Sequence, residues 1–567
     1  MLASRLNLYR CLALAGVLAA GGCSAQAAGA PRHGMVATAQ HEATRVGLAV
    51  LEAGGNAVDA AVAVGYALAV VDPCCGNVGG GGFMLVRFAG GKEAFVDFRE
   101  RAPLLASPSI FLDASGRVRK DASTKSFLAV GVPGTVAGLE YARTHFGSMS
   151  RRRLMAPAIA LAREGFVLDG GDAAELSAAN EELSASPGAR RIFTHDGTPR
   201  RAGERFVQPQ LARTLDAIAL SGPDAFYRGW IAREIVDASR GGGGLLSMRD
   251  FADYRVATAP PVHCRYRGYD ITSAPPPSSG GTTLCEILNI ASGFPIGRYG
   301  WNSAQTVHVL VEAERRAFAD RNAYLADPAF VKNPVDRLLD SAYAAKLRAQ
   351  IVANRATPSV DVRPGLGPPS EETQTTHYSI VDEYGNAVAV TYTINDSFGS
   401  DLVAGDTGFL LNDEMDDFTS KPGAPNMYGL VQGVRNEVEG GKRPLSSMTP
   451  TIVTRDGKLF MVTGSPGGPR IITTTLATIQ NAIDFGMGAQ AAVAAPRFHH
   501  QWLPDLVYVE PHAFTAATAQ RLREMGYAID DRFEEWGSAQ TIVVDPRSGR
   551  LFGGSDPRSP AGAALGF

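Results

Sequence analysis

The chain has 567 residues, of which 45% are apolar and 20% charged. That composition excludes a disordered or fibrous protein and is long enough for one large domain or roughly two to three ordinary ones. With 54 basic against 57 acidic residues and a net charge of -3, the chain lacks the basic footprint of a nucleic-acid binder, so the expected partner is a small molecule.

The first thirty or so residues place Arg5 and Arg10 ahead of the apolar stretch Leu12 to Ala20, with small residues following. This is the layout of a secretory signal, too short for a membrane span. Cleavage after Ala27 would remove residues 1–27 and release a periplasmic or secreted product; alternatively "AGGC" offers Cys23 as a lipidated terminus, the one route to a membrane. From Met35 to Val71 the Ala-rich sequence has helical spacing, breaks at Gly54 and Gly55 and restarts at "NAVDAA", which predicts two packed helices. Its apolar end, Ala60 to Val71, is flanked by Asp59 and Asp72 and reads as a buried helix.

"FMLVRFA" and "EAFVDFR" then form a hairpin signal. Residues 150–350 alternate loops with helices such as "HVLVEAERRAFADRNAYL", and "APPPSSGGTT" opens another helix at about Thr282. The Pro- and Gly-rich tract "TPSVDVRPGLGPPSEE" precedes the paired strands "HYSIVDE" and "AVAVTYTI". A hairpin in "TPTIVTRDGKLFMVTGSPGG", a helix through "PRIITTTLATIQNAID" and late strands at "LVYVE" and "TIVVDP" complete the chain. Clustered strands with hairpin turns, without regular βαβ alternation, predict antiparallel sheets covered by helices.

Most chemical signals are weak on their own. The glycine runs Gly79 to Gly82 and Gly241 to Gly244 match no nucleotide fingerprint and read as turns or close backbone approaches. Adjacent His499 and His500 lack any accompanying metal motif and read as structural, and no G-x-S-x-G elbow is present. Cys74, Cys75, Cys264 and Cys285 fit no zinc spacing; an exported chain permits disulfides, yet adjacent Cys74 and Cys75 are expected to resist bonding each other, and no pairing is assignable. Thr375 is different. A threonine hydroxyl needs an adjacent base, and a threonine freed as a chain terminus carries one in its own α-amino group. That group has a pKa of roughly 7.7 to 8.0, so it is partly unprotonated near neutrality. A flexible approach before a strand-initial threonine is what the required cut would use.

The motifs "GGGGFMLVR", "DFRERAP", "GVPGTVAGLE", "PPPSSGG", "QTTHYSIVDEYGNAVAVTYTIN", "LLNDEMDDF", "KRPLSSMTPTIV", "VTGSPGGPRIITT" and "APRFHHQWLP" occur in one order along the chain, and together they resemble the γ-glutamyltransferase family. The resemblance implies an α+β fold, the four-layer αββα sandwich of the N-terminal-nucleophile hydrolases. It implies self-cleavage between Gln374 and Thr375 into subunits 28–374 and 375–567 that remain one folded unit. Thr375 would be the nucleophile, Thr393 its hydrogen-bonding companion, and the Gly467 and Gly468 amides the oxyanion donors. Arg99, Ser446 and Ser447 would hold a glutamyl α-carboxylate, and Asn395, Glu414 and Asp417 its α-ammonium. Tyr428, in a lid between Lys421 and Pro444, would close over the substrate. The implied activity is cleavage of the γ-glutamyl amide of glutathione and similar compounds, with transfer to water, amino acids or peptides and with no metal or organic cofactor. A cephalosporin acylase acting on glutaryl chains is the rival on the same fold, and a non-catalytic periplasmic binding protein the rival outside it.

Overall fold

The computed structural model describes residues 31 and 33–567, apart from 365–374, 423, 425, 428–431 and 532–533. The expected leader with Cys23, the expected cleavage residue Gln374 and the expected lid residue Tyr428 therefore lie outside the described residues.

In chain order the elements that build the site are β1 (Met35–Thr38), α1 (His41–Glu52), α2 (Ala57–Val71), β2 (Gly81–Arg87) and β3 (Glu93–Asp97). They continue with β4 (Ala257–Ala259), β5 (Val262–Tyr266), β6 (Tyr269–Ser273), α3 (Gly280–Ala291) and α4 (Ala304–Tyr324). The last part contributes β7 (Thr376–Val381), β8 (Ala387–Thr393), β9 (Thr451–Arg455), β10 (Lys458–Thr463), α5 (Arg470–Ile483), β11 (Gln540–Val544), β12 (Leu551–Ser555) and β13 (Ala563–Gly566). One sheet runs β13-β1-β7-β8-β2-β3-β4 and the other β12-β11-β10-β9-β6-β5.

The expected helix pair, both hairpins and the antiparallel sheets are all present. Met35–Thr38 departs from the expectation: it is a strand, not helix, because it completes the hydrogen bonding of β7 on one side and β13 on the other. Local signals explain much of the rest. Asn56 caps α2 by accepting from Val58 and Asp59, while Asp59 accepts from the Asn56 amide, a capping box placed where the glycine break ends.

Alternation along the strands sorts side chains into layers. Phe83, Leu85, Ala387 and Ala389 face Ile452, Val462 and Ile542 between the two sheets. Their neighbours Met84, Val86, Val388 and Val390 face the opposite way, onto α1 and α2. On the far side, Ile271, Val453 and Met461 pack against Leu284, Ile287 and Leu476 from α3 and α5. Each large aliphatic chain buried this way contributes about 2 kcal/mol. The result is the four-layer αββα sandwich. Because both faces of the β7-β8-β2 sheet are covered, its strands read as continuous apolar runs.

Two disulfides are formed. Cys264 on β5 bonds Cys285 on α3, with Cα atoms 5.7 Å apart, tying a sheet to its helical layer. Cys74 and Cys75 bond each other, against the expectation, in a turn where the amides of Cys75 and Gly76 both return to the Asp72 carbonyl. The tract ahead of Thr375 is also less free than expected: up to Pro364 it is anchored, with the Thr357 amide and hydroxyl on Glu312 and the Ser359 amide on Asp505. Among the described residues no helix is long and apolar enough to cross a membrane.

Candidate active site

The sheet register places Thr375 first. Thr376 faces Tyr392 and Thr393 faces Gly81, so Thr375 precedes the first rung of a central strand pair, beside the end of β8. A Cβ on Gly80 would overlap the Thr393 carbonyl, which is why this stretch of the chain is glycine. Thr375 is 4% exposed. It lines a cavity of about 770 Å³ together with Asp72, Cys74, Cys75, Phe398, Pro466 and Gly537. The neighbouring Thr376 hydroxyl donates to Asp72 Oδ2 at 3.2 Å, and Thr393 Oγ1 accepts from the Asn395 amide at 2.8 Å.

Gly467 and Gly468 follow Pro466 out of the cavity wall. Their φ angles of 125° and 62° lie in the region that side chains disfavour. The Gly468 carbonyl accepts from the Ile471 amide at 2.9 Å, so the pair leads into the N-terminus of α5. The N-terminus of a helix carries the positive end of its dipole, which suits a developing oxyanion.

Arg99 gathers the acids. It is fully buried; its Nε donates to the Pro444 carbonyl at 3.2 Å, Nη1 donates to Glu414 and Nη2 to Asp417. Glu100 lies 3.6 Å from Nη1. A Cβ on Gly81 would come within 2.8 Å of the Glu100 carboxylate, which ties this cluster to the strand opposite Thr393. Burial disfavours the Arg99 charge, but Glu414, Asp417 and Glu100 outweigh it and hold the guanidinium protonated. Burial likewise pushes Glu414 well above the carboxylate range against the pull of Arg99, and takes Glu100 up to about 7. Three carboxyls around one guanidinium cannot all ionise cheaply. The cluster is therefore set to receive an added cation.

Two acceptors point to where that cation would sit. Among the described residues, neither Glu414 Oε2 nor Asn395 Oδ1 has a hydrogen-bond partner, although both are buried. Asn395 is held with φ at 78° by Nδ2 donating to the Asp413 carbonyl at 3.1 Å. On the other side of the cluster, Ser446 Oγ accepts from the Met448 amide at 3.1 Å and Ser447 Oγ accepts from Arg321 Nη2 at 2.9 Å. Each hydroxyl keeps its own hydrogen for a carboxylate. The residues expected to bind the two ends of a zwitterion are thus brought together, with Arg99 paired to Glu414 and Asp417.

The described parts of the segment 421–444, expected from the resemblance to form a lid, rest on the same acidic turn. Gln432 Nε2 and Asn436 Nδ2 donate to the Asp417 carbonyl at 3.0 and 2.6 Å, and the Met427 amide donates to Asp416 Oδ2 at 3.0 Å. The histidines stay structural. His499 Nδ1 meets Thr473 Oγ1 at 2.8 Å, whereas His500 Nδ1 accepts from the Trp502 amide at 3.0 Å, so the adjacent rings share no partner. His377 bridges Thr391 and Ser379 at 2.8 and 3.1 Å, and burial lowers it to about 3, which keeps it neutral.

Sequence reasoning missed three contributors. Arg321 on α4 touches Ser447, Ser279 and Asn322; burial lowers it to about 10 while Asp417 supports its charge. Asp72 and the Cys74–Cys75 pair enter the wall of the Thr375 cavity. Nothing local marks Arg321 apart from other helical arginines, but Asp72 and the cysteines lie a few residues ahead of the glycine run Gly79 to Gly82, the one sequence hint to their position.

A family model described as gamma-glutamyltranspeptidase matches residues 43–566. The chain is 52% identical over 554 residues to the glutathione hydrolase proenzyme of Pseudomonas sp. (strain A14), covering 96% of each. Its fold matches the crystal structure of cephalosporin acylase from Bacillus halodurans with a TM-score of 0.84 and 29% identity, over 95% of this chain and 96% of that chain. The crystal structure of Helicobacter pylori gamma-glutamyltranspeptidase matches with a TM-score of 0.57 and 42% identity, over 57% of this chain and 94% of that chain.

Proposed function

The chain belongs to the gamma-glutamyltranspeptidase family, and from that premise we propose that it is a self-processing γ-glutamyltransferase that hydrolyses glutathione and related γ-glutamyl amides and passes the glutamyl group to water or to amino acids and peptides. The precursor yields two subunits. The Thr375 hydroxyl attacks the Gln374 carbonyl, the peptide bond becomes an ester, and water releases residues 28–374 from residues 375–567. Thr375 then carries both a hydroxyl and an α-amine, the latter serving as base.

In turnover the Thr375 oxygen attacks the γ-carbonyl of the donor. Charge on the carbonyl oxygen is met by the Gly467 and Gly468 amides; donors of this kind are worth roughly 3 to 4 kcal/mol each. Collapse expels the amine and leaves a γ-glutamyl ester on Thr375, which water or an amine acceptor opens. Arg99 with Ser446 and Ser447 grips the α-carboxylate, and Asn395, Glu414 and Asp417 take the α-ammonium. Tyr428 and the lid cover the group. The route needs no metal or organic cofactor. The leader of residues 1–27 directs export to the periplasm or medium, unless Cys23 becomes a lipid anchor.

The observation that carries this reading is the pair of unpartnered acceptors, Asn395 Oδ1 and Glu414 Oε2, beside Arg99. The likeness to a cephalosporin acylase makes a glutaryl acylase the second reading. A glutaryl group has no ammonium to offer those acceptors, so they weigh against it.

Denaturing electrophoresis and steady-state assays test the proposal together. Wild-type protein should run as two pieces and turn over γ-glutamyl-p-nitroanilide in preference to glutaryl-p-nitroanilide, and Thr375→Ala should stay whole and inactive. Preference for the glutaryl compound would establish the acylase reading instead. A single uncut, inactive wild-type band would leave only a binding protein. Intact mass of the exported protein reports the leader cut and any lipid on Cys23.

A further inference from the structure

The wall of the Thr375 cavity contains a feature that the acyl-transfer chemistry does not use. Cys74 and Cys75, joined to each other, both line it, as does Asp72 between them and the nucleophile strand. The turn is held firmly. The Phe398 amide donates to the Cys74 carbonyl at 2.8 Å, and Asn77 Nδ2 donates to the Cys75 carbonyl at 3.1 Å. Cys74 is buried at 7% exposure, whereas Cys75 is only partly buried, so of the two residues lining the cavity Cys75 is the more open to a molecule within it. Asp72 bridges the two sides: Oδ1 lies 3.3 Å from Cys74 Sγ, and Oδ2 accepts from the hydroxyl of Thr376, the residue after the nucleophile.

We propose that Cys75 is a thiol-exchange site, at which a small aliphatic thiol entering the cavity is held as a mixed disulfide and thereby obstructs access to Thr375. The thiolate RS⁻ attacks Cys75 Sγ, the Cys74–Cys75 bond breaks, and a Cys75–S–S–R bond forms. Cys74 departs as a thiolate and takes a proton from the Asp72 carboxyl, which solvent later reprotonates. Overall one RSH adds across one disulfide, with no other oxidant or reductant. Burial, offset in part by the Thr376 hydrogen bond, brings Asp72 up to about 7, so near neutrality a proton is available beside the leaving sulfur. Reversal is built in. The Cys74 thiol remains next to the mixed disulfide and, on losing its proton to solvent, attacks Cys75 Sγ and expels RS⁻ when free thiol is removed.

The obstruction rests on the reading of Thr375 as the nucleophile, but the exchange does not, and the experiment separates them. Purified wild-type protein is incubated with cysteamine, which is not a γ-glutamyl compound, then denatured in acid with N-ethylmaleimide and mapped as peptides without reduction. The expected peptide carries one cysteamine on Cys75 and one maleimide on Cys74, and untreated protein carries neither. Turnover of γ-glutamyl-p-nitroanilide should fall about tenfold in the treated protein, since the adduct fills part of the cavity wall, and should recover after desalting. Cys75→Ser should take up no cysteamine and keep its rate in the thiol. An unmodified Cys74–Cys75 peptide, or two maleimides with no adduct, would overturn the exchange site. An adduct that leaves the rate unchanged, or an equal loss in Cys75→Ser, would overturn the obstruction. Inactive untreated protein would count against the proposed function alone, because the mass readout still decides the exchange.

Discussion

Arg321 Nη2 donates to Ser447 Oγ at 2.9 Å across 126 residues of sequence, and Arg321 Nε donates to Ser279 Oγ at the same distance. One buried guanidinium therefore fixes the hydroxyl that is proposed to meet the glutamyl carboxylate, and adds positive charge behind it. Arg321→Met removes both effects. KM for γ-glutamyl-p-nitroanilide should rise roughly ten- to thirtyfold, equivalent to about 1.4 to 2 kcal/mol for a hydrogen bond to a charged group, while kcat changes little. Arg321→Lys, which keeps the charge but loses the fork, should recover only part of the affinity. An unchanged KM in Arg321→Met would remove the residue from the binding site.

Arg99 is tested by the same split. Its guanidinium serves Glu414 and Asp417 in the structure and, in the proposal, the substrate carboxylate. Arg99→Lys retains one positive charge but cannot make the bidentate contact, so KM should rise about a hundredfold, or roughly 3 kcal/mol. Self-cleavage at Thr375 needs no glutamyl carboxylate and should persist, which electrophoresis of the variant reports. Loss of cleavage along with binding would show that Arg99 acts through folding.

His500 makes stability fall in acid. Its Nδ1 accepts from the Trp502 amide, which requires an unprotonated nitrogen there, and burial, then Arg315, lowers the ring to about 4. The unfolded chain takes up a proton near pH 6.5, so between about 6.5 and 4 the unfolded state binds more protons than the folded one. Stability is then fully present above pH 6.5 and lost as pH falls toward 4, by about 3 kcal/mol in total. His500→Gln should flatten that part of a denaturation profile measured from pH 7 to 4. An undiminished slope would assign the acid sensitivity to other groups.

The Cys264–Cys285 bond closes a loop with a sequence separation of 21 between β5 and α3. A closure of that length stabilises by roughly 3 kcal/mol through the unfolded chain. The Cys264→Ser, Cys285→Ser double variant should unfold at lower denaturant concentration while keeping its KM, because neither sulfur reaches the Thr375 cavity. A changed KM would mean that the bond also shapes the site.

Local chemistry made several features legible in the sequence. Apolar, β-branched runs separated by turn residues marked β7, β8 and the hairpin of β9 and β10, the helical period and the Asn56 cap marked α2, and chain-terminal chemistry singled out Thr375. Collinear motifs then assigned companions to it. These signals survive in one dimension because each depends on residues a few positions apart. Met35–Thr38 escaped because four residues are too few for a period, and its strand character comes from β7 and β13, which lie far along the chain. The pairing of Arg99 with the very acids assigned to the opposite end of a substrate, the support of Ser447 by Arg321, and the sulfur pair facing Thr375 were likewise invisible. The sequence by itself determined which residue types the site would use and which threonine would head the strand. Only the tertiary structure decided how those charges neutralise one another, because burial removes water as their partner and leaves each group with whatever the packed chain brings within reach.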